Sequence, residues 1–129
     1  MRAVDTNVLV RLIARDHPGQ VRSAESFVAS GAWVSHVVLV EATWVLETVY
    51  GLKPAQIALG IGMLLEHKTL SLQDPSAVES ALELYRRKPA LGYSDCLILE
   101  TARRAGHQPL GTFDKNLGRM AGAHKLAKD

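Results

Sequence analysis

The chain has 129 residues, 47% of them apolar and 22% charged, with a formal net charge of +2. That length suits one domain spanning residues 1–129, able to bury about two-thirds of its unfolded surface, and no apolar run is long enough to cross a membrane. The single cysteine, Cys96, excludes an internal disulfide and suits the cytoplasm, where thiols stay reduced; the start of the chain lacks the pattern of a signal peptide.

A short apolar segment, Ala3-Val4, runs into Asp5-Thr6-Asn7, and an apolar-rich helical pattern opens at Val8. The pattern reads as strand, polar corner and helix. Leu9, Leu12 and Ile13 carry that helix to Ala14, and Asp16-His17-Pro18-Gly19 breaks it. From Gln20, the residues Val21, Ala24 and Val28 share one helical face, with Gly31 as its C-terminal stop. Ala32-Trp33-Val34-Ser35 is short, aromatic and β-branched, a second strand. His36 to Tyr50 is a long apolar helix closed by Gly51, and Pro54 opens another, running to about His67. Gly60 and Gly62 weaken that helix or admit a close neighbour. Thr69-Leu70-Ser71-Leu72 is a third strand, and Asp74-Pro75 starts the next helix as N-cap and N1 proline. Ser94 or Asp95 opens a further helix that Gly106 closes. Residues 109–113 form a fourth strand ending at Asp114, and Ala123 to Leu126 adds a small edge strand. Strands alternating with helices predict an α/β fold with a mostly parallel sheet of four or five strands.

In such sheets ligands bind in the crevice outside the carboxyl ends of the strands. Of the 13 acids, most are explained by solvated helix faces, caps or loops. Four are not. Asp5 and Asp114 each follow a predicted strand. Glu41 is the only charge between Trp33 and Leu46, so it is expected to be mostly buried. The alternatives there are a structural salt bridge or an exposed stripe on an otherwise packed helix. Asp95 stands at a helix start, and if Ser94 supplies the cap, Asp95 is free to face a cleft. Taken singly, Asp5 reads as an N-cap, Asp95 as an acid beside the helix dipole and Asp114 as a turn residue. Right-handed crossovers would bring all four towards one crevice. Two carboxylates about 4 Å apart repel by roughly 4 kcal/mol at an effective dielectric near 20, so four ionised together need a counter-charge. Mg²⁺ or Mn²⁺, which prefer oxygen ligands, are the natural candidates.

With these residues in place, the sequence resembles the PIN domain family, and within it the VapC-type toxins of toxin–antitoxin pairs. The resemblance covers essentially the whole chain. It rests on Val4-Asp5-Thr6-Asn7-Val8-Leu9, Glu41, Ser94-Asp95 and Thr112-Phe113-Asp114 in that order and spacing. It implies a three-layer α/β/α sandwich and a Mg²⁺- or Mn²⁺-dependent endoribonuclease. It carries the acidic metal site onto Asp5, Glu41, Asp95 and Asp114, with Thr6, Asn7 and Thr112 as accessory polar positions. It also implies inhibition by a small cognate antitoxin of the VapB-like kind, and a homodimer.

The rivals are an aspartyl phosphatase or phospho-acceptor receiver domain, and a non-catalytic RNA- or protein-binding module on the same fold. The phosphatase pattern wants a second aspartate two residues after Asp5, where this chain has Asn7. The histidines show no metal-ligand spacing, and Cys96 reads as a packing residue. Among scattered basic residues, Lys115 and Arg119 are the best placed for phosphate contacts. Trp33 and Trp44 are expected in the core. The two central helices, with Trp44, Tyr50, Ile57, Ile61, Met63 and Leu64, carry more apolar surface than one core needs. Part of it is expected to meet a second copy or an antitoxin helix.

Overall fold

The computed structural model describes residues 1–127, and the chain divides into two compact units, one of Met1–Pro75 and one from Ser76 onward. The first unit holds three short strands, β1 (Arg2–Ala3), β2 (Ala32–Val34) and β3 (Leu70–Leu72), and four helices, α1 (Thr6–Ala14), α2 (Pro18–Val28), α3 (His36–Thr48) and α4 (Pro54–Glu66). Its sheet has the order β1-β2-β3 and is parallel throughout, with Ala3 opposite Trp33 and Trp33 opposite Ser71. Parallel pairing obliges a crossover between consecutive strands. Here α1 and α2 supply the first, α3 and α4 the second.

The helices begin where local chemistry allows. Asp5 caps α1, accepting from the Val8 amide at 3.2 Å. Ser35 caps α3 in the same way, accepting from Val38 N–H at 3.1 Å. Pro18 and Pro54 stand in the first turns of α2 and α4, where a missing N–H costs nothing. The helix read from Gln20 therefore starts earlier, at Pro18, with His17 as its cap. Gly31 and Gly51 stop α2 and α3 with φ of 102° and 67°, which side chains resist. The core of this unit gathers Leu9, Val10 and Leu12 of α1, Leu39, Ala42 and Leu46 of α3, and Ile57, Ile61 and Leu64 of α4. Gly60 is buried, and a β-carbon there would stand 3.1 Å from Ile13 Cγ2, so this glycine marks a close approach of α4 to α1. Where α1 ends, Arg11 Nη1 donates to the Tyr50 hydroxyl at 2.7 Å, and that hydroxyl donates to Asp16 Oδ2 at 2.9 Å. The Tyr50 bond is the main reason the Asp16 carboxyl titrates below its ordinary value.

The second unit holds α5 (Pro75–Arg87, whose first residue belongs to the preceding unit), α6 (Tyr93–Arg104), β4 (Leu110–Thr112) and β5 (Ala123–Lys125). Two 3-10 turns, Pro89–Leu91 and Leu117–Arg119, were not foreseen from the sequence. Strands β4 and β5 pair in parallel, Gly111 opposite His124. Val78, Ala81, Leu82 and Tyr85 of α5 and Tyr93, Cys96, Leu97 and Leu99 of α6 are buried. The Tyr93 hydroxyl donates to the Val78 carbonyl at 3.0 Å, and its ring meets Tyr85 edge-on at 5.8 Å. Burial, then the neighbouring Asp95 and Glu100, pushes the Cys96 thiol up to about 12, which fits a packing residue and not a nucleophile.

The chain is thus a helix-rich α/β protein with parallel sheets, the five strands among its described residues divided three and two. Among the described residues no helix is long and apolar enough to cross a membrane. Some burial expectations fail. Trp33 and Trp44 are 40% and 61% exposed, not core. Ile57, Ile61 and Leu64 do belong to the core; of the residues expected to carry surplus apolar surface, Trp44 and Met63 are exposed, and Val37, Val49 and Leu59 join them.

One packing contact gives a direct test. A β-carbon on Gly118 would lie 2.7 Å from Lys125 Cβ and 3.3 Å from its Cα, atoms that cannot move without shifting β5. Gly118→Ala should cost about 1–3 kcal/mol, the range for overpacking, and lower the melting temperature by several degrees. Gly19→Ala, whose nearest neighbour is the end of Arg22 at 4.0 Å, should leave it level or raise it slightly, since alanine suits a helix better than glycine.

Candidate metal centre

In the first unit the candidate side chains sit at the head of α1 and on α3. Asp5 follows β1 by two residues and spends one carboxylate oxygen on the Val8 amide. The next residue, Thr6, donates from Oγ1 to Glu41 Oε1 at 2.7 Å. Glu41 is thereby fixed beside the residue that adjoins Asp5, although the two acids are 36 positions apart. This works because α1 and α3 pack along their apolar faces. Leu39, Ala42, Thr43 and Leu46 turn inward, which leaves Glu41 on the outer face with Val37 and Trp44. The expectation of a mostly buried Glu41 is therefore wrong: the side chain is exposed. A helix of such uniform apolarity still has a solvent face, and its two charges, Glu41 and Glu47, are both exposed. Nor is Glu41 half of a salt bridge, since among the described residues no lysine or arginine pairs with it. Asn7 is exposed in the first turn of α1, without a hydrogen bond from its side chain to any described residue.

In the second unit Asp114 follows β4 and is held twice. Its amide donates to Thr112 Oγ1 at 3.0 Å, and its Oδ1 accepts from the Leu117 amide at 2.8 Å. The turn role foreseen for Asp114 is thus real, and Thr112 sets the acid's orientation from the strand. Asp95 lies in the first turn of α6. Its helix is not capped by Ser94: the N-cap is Gly92, with φ of 80° and no side chain to offer. Asp95 is half-buried. Burial, and then the charge of Asp114, raise its carboxyl above the ordinary range. The helix N-terminus pulls the other way, so an upward net shift means that desolvation and the neighbouring acid prevail.

The four acids thus fall two in each unit: Asp5 and Glu41, linked through Thr6, and Asp95 beside Asp114. Within neither unit, among the described residues, do three or more His, Cys, Asp or Glu side chains gather in a group able to hold a metal. Each pair offers only carboxylate oxygens, a donor set for a hard divalent cation. The ion pairs found elsewhere, Arg11–Asp16, Arg15–Glu25 and Arg103–Glu100, involve none of the four. Lys115 and Arg119 are exposed just after Asp114. Sequence reading passed over Arg2 and Arg22, which line one groove of the first unit. They stand 20 positions apart, and no local signal joins them.

The Asp95–Asp114 pair gives a pH dependence with a defined sign. A carboxyl with a raised folded pKa binds its proton in the native state where the unfolded chain has released it. Stability then falls as pH rises through that interval, and the penalty is fully present above it. Metal-free Asp95→Asn should melt a few degrees above the parent chain near neutral pH, and the two should converge as both carboxyls become protonated in acid. Calorimetric melts across that range check this.

The PIN domain family model matches residues 2–123, so the match runs through both units and includes all four acids. PIN domains are generally nucleases that use a divalent metal. No curated protein and no solved structure gives a match. By that family match, which spans nearly its whole length, the chain belongs to the PIN domain family.

Proposed function

We propose that this chain is a Mg²⁺- or Mn²⁺-dependent endoribonuclease of the VapC type, acting in the cytoplasm as the toxin of a toxin–antitoxin pair, with Asp5, Glu41, Asp95 and Asp114 as its metal-binding acids. The observation that carries this is the Asp95–Asp114 pair. These are two carboxylates close enough for one to raise the other's proton affinity, with no lysine or arginine among the described residues to neutralise them. The chain keeps a repelling pair that costs stability, which fits a site built for a cation. The family match across both units favours a single PIN domain and leaves the phosphatase and receiver readings without support.

When bound, a divalent ion lowers the pKa of an attacking water and neutralises charge on the phosphate. The chain's own part is positional. Thr6 holds Glu41 by its hydroxyl, and Asp5 is fixed by the head of α1. Thr112 and the Leu117 amide fix Asp114. Asn7, exposed beside Thr6, is free to hold a water or a phosphate oxygen. Carboxylates locked in this way lose little freedom when they take up a ligand, the usual benefit of preorganisation.

Glu41→Gln separates metal binding from folding. An exposed side chain without a cationic partner should tolerate the change within about 0.5 kcal/mol. The Thr6 hydroxyl can still donate to the amide oxygen. Metal affinity and RNA cleavage should fall by at least about 100-fold, since partners one shell further out already cost 10–100-fold. Added Mg²⁺ or Mn²⁺ should raise the melting temperature of the parent chain and not of the variant. Cleavage of RNA at full rate in excess EDTA would refute the metal mechanism.

The partners belong to the same reading: a second copy of the chain and a small VapB-like antitoxin. Val37 and Trp44 on α3, Val49 just past its end, and Leu59 and Met63 on α4 are exposed apolar side chains of the kind that partners cover. Sedimentation should show at least a dimer, and co-expression with a small adjacent gene should yield a tight complex. A strict monomer that captures nothing would remove this part of the reading.

A further inference from the structure

The first unit contains an open groove of about 700 Å³ lined by Arg2, Gly19, Arg22, Ser23, Ser26 and Phe27. Arg2 is fixed in place. Its guanidinium lies 3.8 Å over the Phe27 ring and donates from Nη2 to the Phe27 carbonyl at 2.7 Å and to Ser30 Oγ at 3.1 Å. None of these partners is a carboxylate, so the positive charge of Arg2 is oriented but not neutralised. Arg22 has no ion pair and no hydrogen bond with any described residue. The nearest acid along α2, Glu25, is engaged with Arg15 at 3.1 Å. The lining thus offers two guanidinium groups and two serine hydroxyls, and no acidic side chain.

We infer that this groove is a binding site for the phosphate backbone of single-stranded RNA, separate from the acids and serving to hold the substrate. Guanidinium forks match phosphate oxygens in pairs, and hydroxyls add donors that carry no base preference. An open groove suits a chain that continues past it better than an isolated anion. Arg2 precedes Asp5 by three residues of extended chain, about 10 Å, so a strand lying over Asp5 needs only a few further nucleotides to reach the groove. The identity of the polyanion rests on the ribonuclease reading above.

The test measures binding without catalysis. Anisotropy of a labelled single-stranded RNA is followed in EDTA with the parent chain, Arg22→Gln and Arg22→Glu, over a range of salt. Arg22 is exposed and unpaired, so melting temperatures and Mg²⁺ affinity should match the parent's. Expected is a several-fold weaker affinity for Arg22→Gln and a larger loss for Arg22→Glu. The slope of log affinity against log salt should shrink by about 0.7, the value for one phosphate contact on a single strand. Equal affinity and slope in all three proteins would overturn the site, as would a parent chain that binds no RNA. Loss of binding to poly-glutamate with RNA binding intact would also overturn it, and would make the groove a site for acidic peptides. The two readings fail separately. A parent chain that never cleaves RNA but binds it through Arg22 refutes the catalytic reading alone. Cleavage abolished by Glu41→Gln, with RNA binding indifferent to Arg22, refutes the groove alone.

Discussion

The contact between α1 and α3 is the constraint on which the first unit depends. Leu9 and Leu12 on one side and Leu39, Ala42 and Leu46 on the other are buried together. Burial of such side chains contributes on the order of 1.5–3 kcal/mol each, far more than any polar bond at the site. That apolar seam sets the register in which Thr6 reaches Glu41, and the 2.7 Å bond is its consequence. A shift of one helix along the other would carry Glu41 away from Asp5 without disturbing either helix's internal bonds.

The two acidic pairs are held by different means. Asp5 and Asp114 are shaped by the backbone, each accepting from an amide three residues on. Glu41 is reached by a hydroxyl from another helix, whereas the Asp95 side chain takes no hydrogen bond from any described residue. Its raised proton affinity follows from where it sits, partly buried beside a like charge. Capping and turn formation are therefore not rivals of a metal-binding role for Asp5 and Asp114. A side chain with two oxygens can close a turn with one and present the other.

Much of this was legible in the chain. Strand–helix alternation and the glycine and proline stops gave element order and most boundaries to within a few residues, because caps and breakers act locally. Faces were harder. The helix from His36 is apolar nearly all round, so its periodicity could not reveal which side Glu41 and Trp44 occupy; packing against α1 decided it. Ser94 looked like a cap from residue type alone, but the glycine at position 92, with φ of 80°, starts the helix two residues earlier. The stacking of Arg2 on Phe27 joins residues 25 positions apart and leaves no trace in any local pattern.

Every strand pairing found is parallel, and each strand is only two or three residues long. Among the described residues no hairpin exists to nucleate these sheets. Each ladder joins segments that are distant along the chain, and loop-closure entropy must be met before its few bonds form. The strands are thus the last parts to be rewarded during folding, and in the first unit the helices that connect them have to assemble first. Amide exchange from β1 and β2 in the native protein would accordingly report the loosening of helix packing, since ladders this short have little resistance of their own.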